Sequence, residues 1–225
     1  MVADFSANSD TLLVAFGGIA AGIGMPPFEF FRLVNDLSVK KLFVRDLEQA
    51  WYHRGLPGIA TDIHGAAKYL AELIAEQGVG RTVFVGNSMG GYAAILFGTL
   101  LQANVAHAFA PQTFLDKTSR MLSLDRRWRG QIRKLQRTPN IDASLLDLRR
   151  LLSQTQSGIE THVHFSALHR LDCIHAQRLR ATANVTLHSY PLDGHNLVRH
   201  LRDTGVLRTL LLQSLRADNQ LPQAA

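Results

Sequence analysis

The 225-residue sequence contains one cysteine, Cys173, and therefore no pair of thiols that could form an internal disulfide. A single free thiol in a chain of this length is typical of a reducing compartment, so we expect a cytoplasmic protein. The sequence also lacks the Cys/His spacings of zinc sites. Its basic residues are not interleaved with aromatic ones, as stacking on bases requires. These absences argue against a metal site and against nucleic-acid binding.

The sequence has no stretch suited to a secretory signal or a membrane span. Residues 11–28 carry no charge, but Asp4 and Asp10 precede them and no Lys or Arg does. Four glycines and two prolines interrupt this stretch, which is too many for a spanning helix. We predict a buried strand followed by a glycine-rich loop.

What remains is the composition of an ordinary globular protein. Hydrophobic residues make up 46% of the chain, and its length suits a single domain over residues 1–225. The formal charge of +6 and the pI of about 9.9 favour acidic partners or substrates. Internal repeats and low-complexity tracts are absent.

Short apolar, β-branched runs alternate with segments of helical apolar spacing. The predicted strands are 12–16, 40–44, 82–85, 105–110, 162–167 and 185–190. The predicted helices between and after them are 28–37, 59–77, a segment from 91, 174–181 and 197–215. Residues 1–10 and 217–225 are polar and are expected to be irregular. This alternation predicts an α/β fold with a mostly parallel sheet of about six strands, covered by helices on both faces.

Residues 113–160 interrupt the alternation. Eight basic residues lie between Lys117 and Arg137, and leucines at helical spacing follow from Leu145 to Leu152. We predict an insertion of short helices, whose default interpretation is a solvated basic surface.

The most informative stretch is 81–102, where a predicted strand meets the sequence Gly86-Asn87-Ser88-Met89-Gly90 and then an apolar helix. In this strand–turn–helix context, G-x-S-x-G is typical of a nucleophile elbow. The turn is expected to hold Ser88 in a strained backbone conformation, and Gly86 and Gly90 keep the crossing free of side chains. The N-terminus of the helix would direct its free N–H groups toward negative charge near Ser88.

This stretch resembles the α/β-hydrolase family. The resemblance covers residues 11 to about 215 without the insertion, and it implies a compact three-layer sandwich. The sequence departs from the family in that about six strands are expected instead of the usual eight, with the first two antiparallel strands absent. It implies a serine hydrolase that cleaves a carboxylic ester or thioester through an acyl-enzyme, without a cofactor. Residues 113–160 occupy the place where this family inserts a lid, and such a lid would attract an anionic or carrier-bound substrate.

In the resembled family the nucleophile is followed by an acid and then a histidine, each after a strand. His195, in Y-P-L-D-G-H-N, occupies the histidine's place, and His53 and His169 are the loop histidines that rival it. Asp172 is the favoured acid, although it would also suit the N-cap of the next helix. The alternative acids are Asp193 and Asp116.

The resemblance also implies an oxyanion hole made of two backbone N–H groups. Met89, after the nucleophile, is the first predicted donor, and Gly18 or Ile19, after the first strand, is the second. Four residues that follow other strands are candidates for substrate binding, with local packing as the alternative for the Trp-Tyr pair: Asp46, Trp51, Tyr52 and Gln112.

Two other functions remain open at this point. An acyltransferase would use the same triad with an alcohol or sugar as acceptor. A binding protein could keep the fold without turnover.

Overall fold

The computed structural model describes residues 1–19, 30–155 and 157–216. Within these ranges seven strands form one sheet with the order β1-β3-β2-β4-β5-β6-β7. They are β1 (Val2–Asp4), β2 (Thr11–Phe16), β3 (Lys40–Val44), β4 (Arg81–Asn87), β5 (Val105–Phe109), β6 (Glu160–Ser166) and β7 (Val185–Tyr190).

Strands β2 to β7 are parallel, so their carboxyl ends meet along one edge of the sheet. Phe16 pairs with Gly86, and Asn87 pairs with Phe109. This register places the loops after β2, β4 and β5 side by side at that edge.

Helices cover both faces of the sheet. They are α1 (Phe31–Val34), α2 (Ile63–Glu76), α3 (Met89–Leu100), α4 (Lys117–Leu122), α5 (Arg129–Gln136), α6 (Leu148–Gln154), α7 (Arg170–Gln177), α8 (Leu197–Asp203) and α9 (Val206–Leu215). Leu12, Val14 and Phe16 of β2 pack in one core with α2 and α3. Leu13 and Ala15 point to the other core, with α8 and α9. The predicted three-layer α/β architecture is therefore confirmed. None of the described helices is long and apolar enough to cross a membrane.

The sheet has one strand more than the predicted six, because part of the N-terminal segment is not irregular. Val2–Asp4 forms an antiparallel edge strand against β3, with Val2 paired to Phe43. An ion pair of 3.3 Å joins Asp4 to Lys41 there. Three residues are too few to show alternating burial, so this strand carries no periodic signal in the sequence.

Several predicted helices have different bounds. The helix predicted over 174–181 is α7, which begins at Arg170 and ends at Gln177. The closing helix 197–215 is divided into α8 and α9, because Gly205 adopts a left-handed conformation with φ of 76°. The helix predicted over 59–77 begins only at Ile63, where the Asp62 side chain accepts the Gly65 N–H at 2.8 Å. Of the segment predicted over 28–37, residues 28 and 29 lie outside the described ranges.

Helical segments occupy most of the region between β5 and β6. These are α4, α5, a 3-10 helix at Ala143–Leu146, and α6. Their apolar side chains, including Ile132, Leu135 and Leu148, join the core that contains α3. Exposed basic residues lie on the outer side, namely Lys117, Arg126, Arg129, Arg133 and Arg137.

Four histidines lie together on strands β5 to β7. His107 Nδ1 is 3.1 Å from His164 Nε2, and His162 Nδ1 is 3.0 Å from His188 Nε2. Burial, reinforced by the neighbouring histidines, lowers the pKa of His107 to about 3. The same causes lower the pKa of His164. Burial also lowers the pKa of His53, on the opposite side of the sheet, to about 4.

These buried histidines predict that acid destabilises the protein. A folded-state pKa below the unfolded value of about 6.5 means that the unfolded chain binds more protons, so the free energy of unfolding falls as the pH drops from about 6.5 toward 4. Each such histidine contributes up to about 1.4 kcal/mol per pH unit in that window. Urea unfolding of His107→Asn should show a shallower pH dependence, whereas His200→Asn, at an exposed position, should leave it unchanged. If the free energy of unfolding changed equally with pH in the wild type, His107→Asn and His200→Asn, this explanation would be contradicted.

A second prediction concerns the crossing of β4 and α3. A Cβ added at Gly86 would lie 2.0 Å from the carbonyl oxygen of Gly90, a backbone atom that cannot move aside alone. Gly86→Ala should therefore lower the free energy of unfolding by about 3 kcal/mol or more in urea titrations. Gly130→Ala is the control, because a Cβ there meets no atom within 4 Å. That change should be neutral or stabilising by up to about 1 kcal/mol. A similar loss of unfolding free energy in Gly86→Ala and Gly130→Ala would show that the close approach of α3 to β4 does not require a glycine at position 86.

Candidate active site

The turn between β4 and α3 presents Ser88 at the carboxyl edge of the sheet. Ser88 has φ of 56° and ψ of −116°, the strained conformation predicted for a nucleophile elbow. Its N–H donates to the Phe109 carbonyl at 2.8 Å, which anchors the turn to β5. A Cβ at Gly90 would lie 2.2 Å from the Phe16 carbonyl oxygen, so α3 begins in direct contact with β2 as well.

Three side chains from separate segments of the chain form a continuous hydrogen-bonded chain at this edge. Ser88 Oγ lies 3.1 Å from His195 Nε2. His195 Nδ1 lies 2.9 Å from each carboxylate oxygen of Asp172. Ser88 follows β4, Asp172 lies in the first turn of α7, and His195 follows β7.

The chemistry of the partners fixes the direction of these bonds. An ionised carboxylate only accepts, so His195 Nδ1 carries the proton that it donates to Asp172. His195 Nε2 then has a free lone pair and accepts the Ser88 hydroxyl proton. Ser88 is 6% exposed, whereas the His195 side chain is 26% exposed. The site therefore communicates with solvent on the histidine side.

The alternative acids and histidines have other positions or partners, and His169 lies beside the acid, with its Nδ1 3.1 Å from Asp172 Oδ1. Asp193 is exposed, and Asp116 caps α4 by accepting the Ser119 N–H at 2.8 Å. His169 takes the N-cap position of α7, which had been the structural alternative for Asp172. His53 Nε2 lies 2.7 Å from the Tyr92 hydroxyl.

Arg127, from the segment between β5 and β6, reaches the same carboxylate. Its Nη1 donates to Asp172 Oδ1 at 3.1 Å, and its Nη2 donates to Asp125 Oδ2 at 2.9 Å. Asp125 Oδ2 also accepts from His175 Nε2 at 3.0 Å, because the Thr113 N–H occupies His175 Nδ1. Sequence reasoning missed Arg127, Asp125 and His175, since one arginine in a basic run carries no signal of a buried partner.

Basic neighbours keep both carboxylates ionised. Burial of Asp172 opposes ionisation, but the hydrogen bond from His195 and the electrostatic attraction of His195, His169 and Arg127 outweigh it, so its pKa is lowered. Burial likewise opposes the charge on Asp125, and the bonds from His175 and Arg127 hold the pKa of that carboxyl well below its ordinary value. A charged Asp172 is the form that can orient His195.

The predicted oxyanion donors lie beside the turn. Met89 is the first residue of α3, where a helix provides no intrahelical acceptor for the N–H group. A Cβ at Gly18 would lie 3.0 Å from the Asn87 carbonyl oxygen, so the loop after β2 passes close to the end of β4. Ile19 follows it and is 8% exposed. The rest of that loop lies outside the described residues.

Of the four residues predicted to bind substrate, Gln112 is hydrogen-bonded to Ser88. Its Nε2 donates to Ser88 Oγ at 2.8 Å. Asp46 is buried and accepts the N–H groups of Ala50 and Tyr52 at 2.6 and 2.9 Å. The Tyr52 hydroxyl donates within the core, at 3.0 Å from the Gly17 carbonyl. Trp51 is buried against Gln112. Asp46, Trp51 and Tyr52 therefore support the loop after β3 from inside, because their polar atoms are engaged by the protein itself.

A cleft of about 700 Å³ lies between residues 48–64 and 138–142. None of the four residues predicted to bind substrate lines this cleft, and neither Ser88 nor His195 does. The cleft is therefore separate from the candidate active site.

One set of metal-ligand side chains occurs among the described residues. His169, Asp172 and His195 bring their ligand atoms within 4.8 Å of one another. Asp172 already accepts from His195 and Arg127. The adjacent guanidinium charge disfavours a cation at this position.

No protein-family model and no curated protein matches the sequence. Several solved structures match the fold. An inhibited esterase B from Lactobacillus rhamnosis aligns with a TM-score of 0.66 and 13% identity, over 93% of this chain and 78% of that one. A capsule O-acetyltransferase of Neisseria meningitidis serogroup A aligns with a TM-score of 0.60 and 12% identity, over 92% and 89%.

A glycosylation-associated Gap123 complex from Streptococcus agalactiae aligns with a TM-score of 0.66 and 16% identity. The match covers 96% of this chain but only 43% of the streptococcal chain. At such identities the similarity shows the fold alone. The chain has the α/β-hydrolase fold, as its sequence predicts.

The buried charge cluster predicts a large effect on stability. Asp125→Asn removes the anion that pairs with Arg127 and accepts from His175. We expect the free energy of unfolding at pH 7 to fall by about 3–5 kcal/mol in urea titrations, because the guanidinium groups of Arg120 and Arg127 lose their buried anionic partner. Asp36→Asn breaks an exposed pair with Arg208 and should change stability little. An equally small change for Asp125→Asn would show that the cluster does not stabilise the fold.

Proposed function

We propose that the protein is a serine hydrolase that cleaves a carboxylic ester or thioester through an acyl-enzyme. The observation that supports this most is the hydrogen-bonded chain from Ser88 Oγ to His195 at 3.1 Å and on to Asp172 at 2.9 Å. A serine hydroxyl is a weak nucleophile by itself, and such a chain supplies the base and the group that orients it. The fold similarity to esterases agrees with this function.

In the first half-reaction Ser88 Oγ attacks the acyl carbon while its proton passes to His195 Nε2. Asp172 keeps the proton on His195 Nδ1 and stabilises the imidazolium that forms. The N–H groups of Met89 and of Gly18 or Ile19 would stabilise the oxyanion of the tetrahedral intermediate. His195 then gives its proton to the leaving alcohol or thiol.

In the second half-reaction His195 takes a proton from water, and the hydroxide attacks the acyl carbon of the acyl-enzyme. The bond between the acyl carbon and Ser88 Oγ then breaks, Oγ takes the proton back from His195 Nε2, and the acid is released. These steps use only the side chains and backbone groups named above.

We further propose that residues 113–160 form a cap of a single hydrolase domain. Exposed arginines and Lys117 on its outer side would attract an anionic substrate, either a small molecule or an acyl group on a carrier. A cytoplasmic location remains a prediction from the single cysteine.

An acyltransferase with the same triad is the second candidate, and the fold similarity to a capsule O-acetyltransferase favours considering it. The two differ only in whether water or an alcohol attacks the acyl-enzyme. Turnover of p-nitrophenyl esters of graded chain length and of acyl-CoA thioesters, with and without an added alcohol or sugar, would separate them. A protein that binds these esters but turns none over would be the silent binding protein instead.

The proposal predicts distinct effects for three variants. Ser88→Ala should abolish labelling by a fluorophosphonate probe. Asp172→Asn should lower kcat/KM by about 10³–10⁴-fold, because an asparagine no longer favours the required His195 tautomer. Asp193→Asn carries the same change at an exposed position and should retain activity.

Labelling of Ser88→Ala at the wild-type rate would remove Ser88 from its role. A loss in Asp193→Asn without one in Asp172→Asn would transfer the acid's role to Asp193.

A further inference from the structure

A second hydrogen-bonded chain, separate from that of His195 and Asp172, reaches the Ser88 hydroxyl. Trp51 Nε1 donates to Gln112 Oε1 at 3.1 Å, and Gln112 Nε2 donates to Ser88 Oγ at 2.8 Å. Trp51 and Gln112 are both 0% exposed. Water therefore cannot take the place of either partner without a rearrangement of the core.

The indole fixes which end of the amide faces Ser88. A glutamine amide can present either its oxygen or its NH₂ group, but an indole N–H can only donate. Trp51 therefore holds the amide oxygen, and the NH₂ group points to Ser88. Ser88 Oγ must accept that bond, and its single proton is left for the remaining neighbour, His195 Nε2.

The loop after β3 is built to hold the indole in place. Gln49, Trp51 and Tyr52 all adopt positive φ angles, between 50° and 64°. The buried Asp46 carboxylate holds this loop through the N–H groups on both sides of Trp51, those of Ala50 and Tyr52. A strained backbone of this kind persists only where several surrounding contacts hold the same conformation.

The Gln112 donor changes what the hydroxyl can do during the reaction. As the Ser88 proton moves to His195, negative charge develops on Oγ of a residue that is only 6% exposed. An amide N–H already at 2.8 Å stabilises that charge without reorganisation. A flipped amide would instead accept the serine proton and compete with His195.

We propose that Gln112 is a catalytic residue that directs the Ser88 proton to His195 and stabilises the charge on Oγ, and that Trp51 is the positioning residue that fixes the Gln112 amide. This inference rests on the proposed serine-hydrolase function. It assigns Gln112 to the nucleophile rather than to the substrate contact predicted for it.

The test compares Trp51→Phe and Gln112→Met with Trp128→Phe as the control. Trp51→Phe keeps an aromatic ring but removes the donor, so the amide is free to flip. Gln112→Met keeps the length of the side chain but removes both polar groups. The Trp128 Nε1 has no hydrogen-bond partner among the described residues, so the control removes an indole N–H that orients nothing. Rates of fluorophosphonate labelling, kcat and KM are measured on folded protein, verified by circular dichroism.

We expect labelling rate and kcat to fall about 10–100-fold in Trp51→Phe and Gln112→Met, with KM nearly unchanged, because the lost bond strengthens as charge develops. Trp128→Phe should behave as wild type. Wild-type labelling and kcat in both Trp51→Phe and Gln112→Met would overturn the inference.

Gln112→Glu provides a readout that does not depend on comparing stabilities. Its ionised carboxylate cannot donate to Ser88, whereas its protonated form presents an O–H to Ser88 and a carbonyl oxygen to Trp51, as the amide does. The ratio of labelling rates at pH 5 and pH 8 should therefore rise about tenfold above the wild-type ratio. A ratio equal to that of the wild type would contradict the catalytic role.

The two proposals fail differently. If the wild-type protein is not labelled at Ser88 at all, the serine-hydrolase function is wrong. If the wild-type protein is labelled and the variants match it in rate and pH profile, only the role of Gln112 and Trp51 is wrong.

Discussion

Every part of the candidate site depends on how closely helix α3 approaches the end of β4. The missing side chain at Gly86 lets the Gly90 carbonyl lie where a Cβ would stand. That approach forces the chain to reverse within one residue and gives Ser88 its positive φ. The parallel register then brings the ends of β5, β6 and β7 to the same edge. His195, Asp172 and Gln112 need only short loops to reach one hydroxyl.

Charge at the site is balanced by groups from different segments. Asp172 accepts from His195, after β7, and from Arg127, in the segment between β5 and β6. Arg127 also pairs with Asp125, which the buried His175 of α7 contacts in turn. A buried carboxylate that serves one imidazole would be costly to ionise alone. The charge of Arg127 lowers that cost and links Asp172 to a region that local sequence patterns describe only as basic.

Sequence patterns predict the parts of this protein that show hydrophobic periodicity or that require a residue without a side chain. The parallel strands show as apolar runs, and the elbow shows through glycines whose absence of side chains the crossing requires. Ser88, Asp172 and His195 could be proposed together because each follows a strand in the order of the resembled family. Arg127 and Asp125 could not, since their contacts join distant segments of ordinary composition. An aromatic residue such as Trp51 can line a pocket or support a neighbouring side chain, and its sequence position does not distinguish these two roles. The edge strand Val2–Asp4 was too short for any periodicity.

The ion pair between Arg127 and Asp172 limits how the segment between β5 and β6 can change in proteins of this fold. Substrate preference in an α/β scaffold is commonly altered through its loops and insertions, while the sheet stays constant. Here the segment between β5 and β6 supplies a guanidinium to the acid and an aspartate to the core beneath it. A chimaera that received this segment from another protein would gain a new entrance but lose the counter-charge of its own aspartate. Recombination at this junction is therefore constrained to donors that bring an equivalent arginine with them.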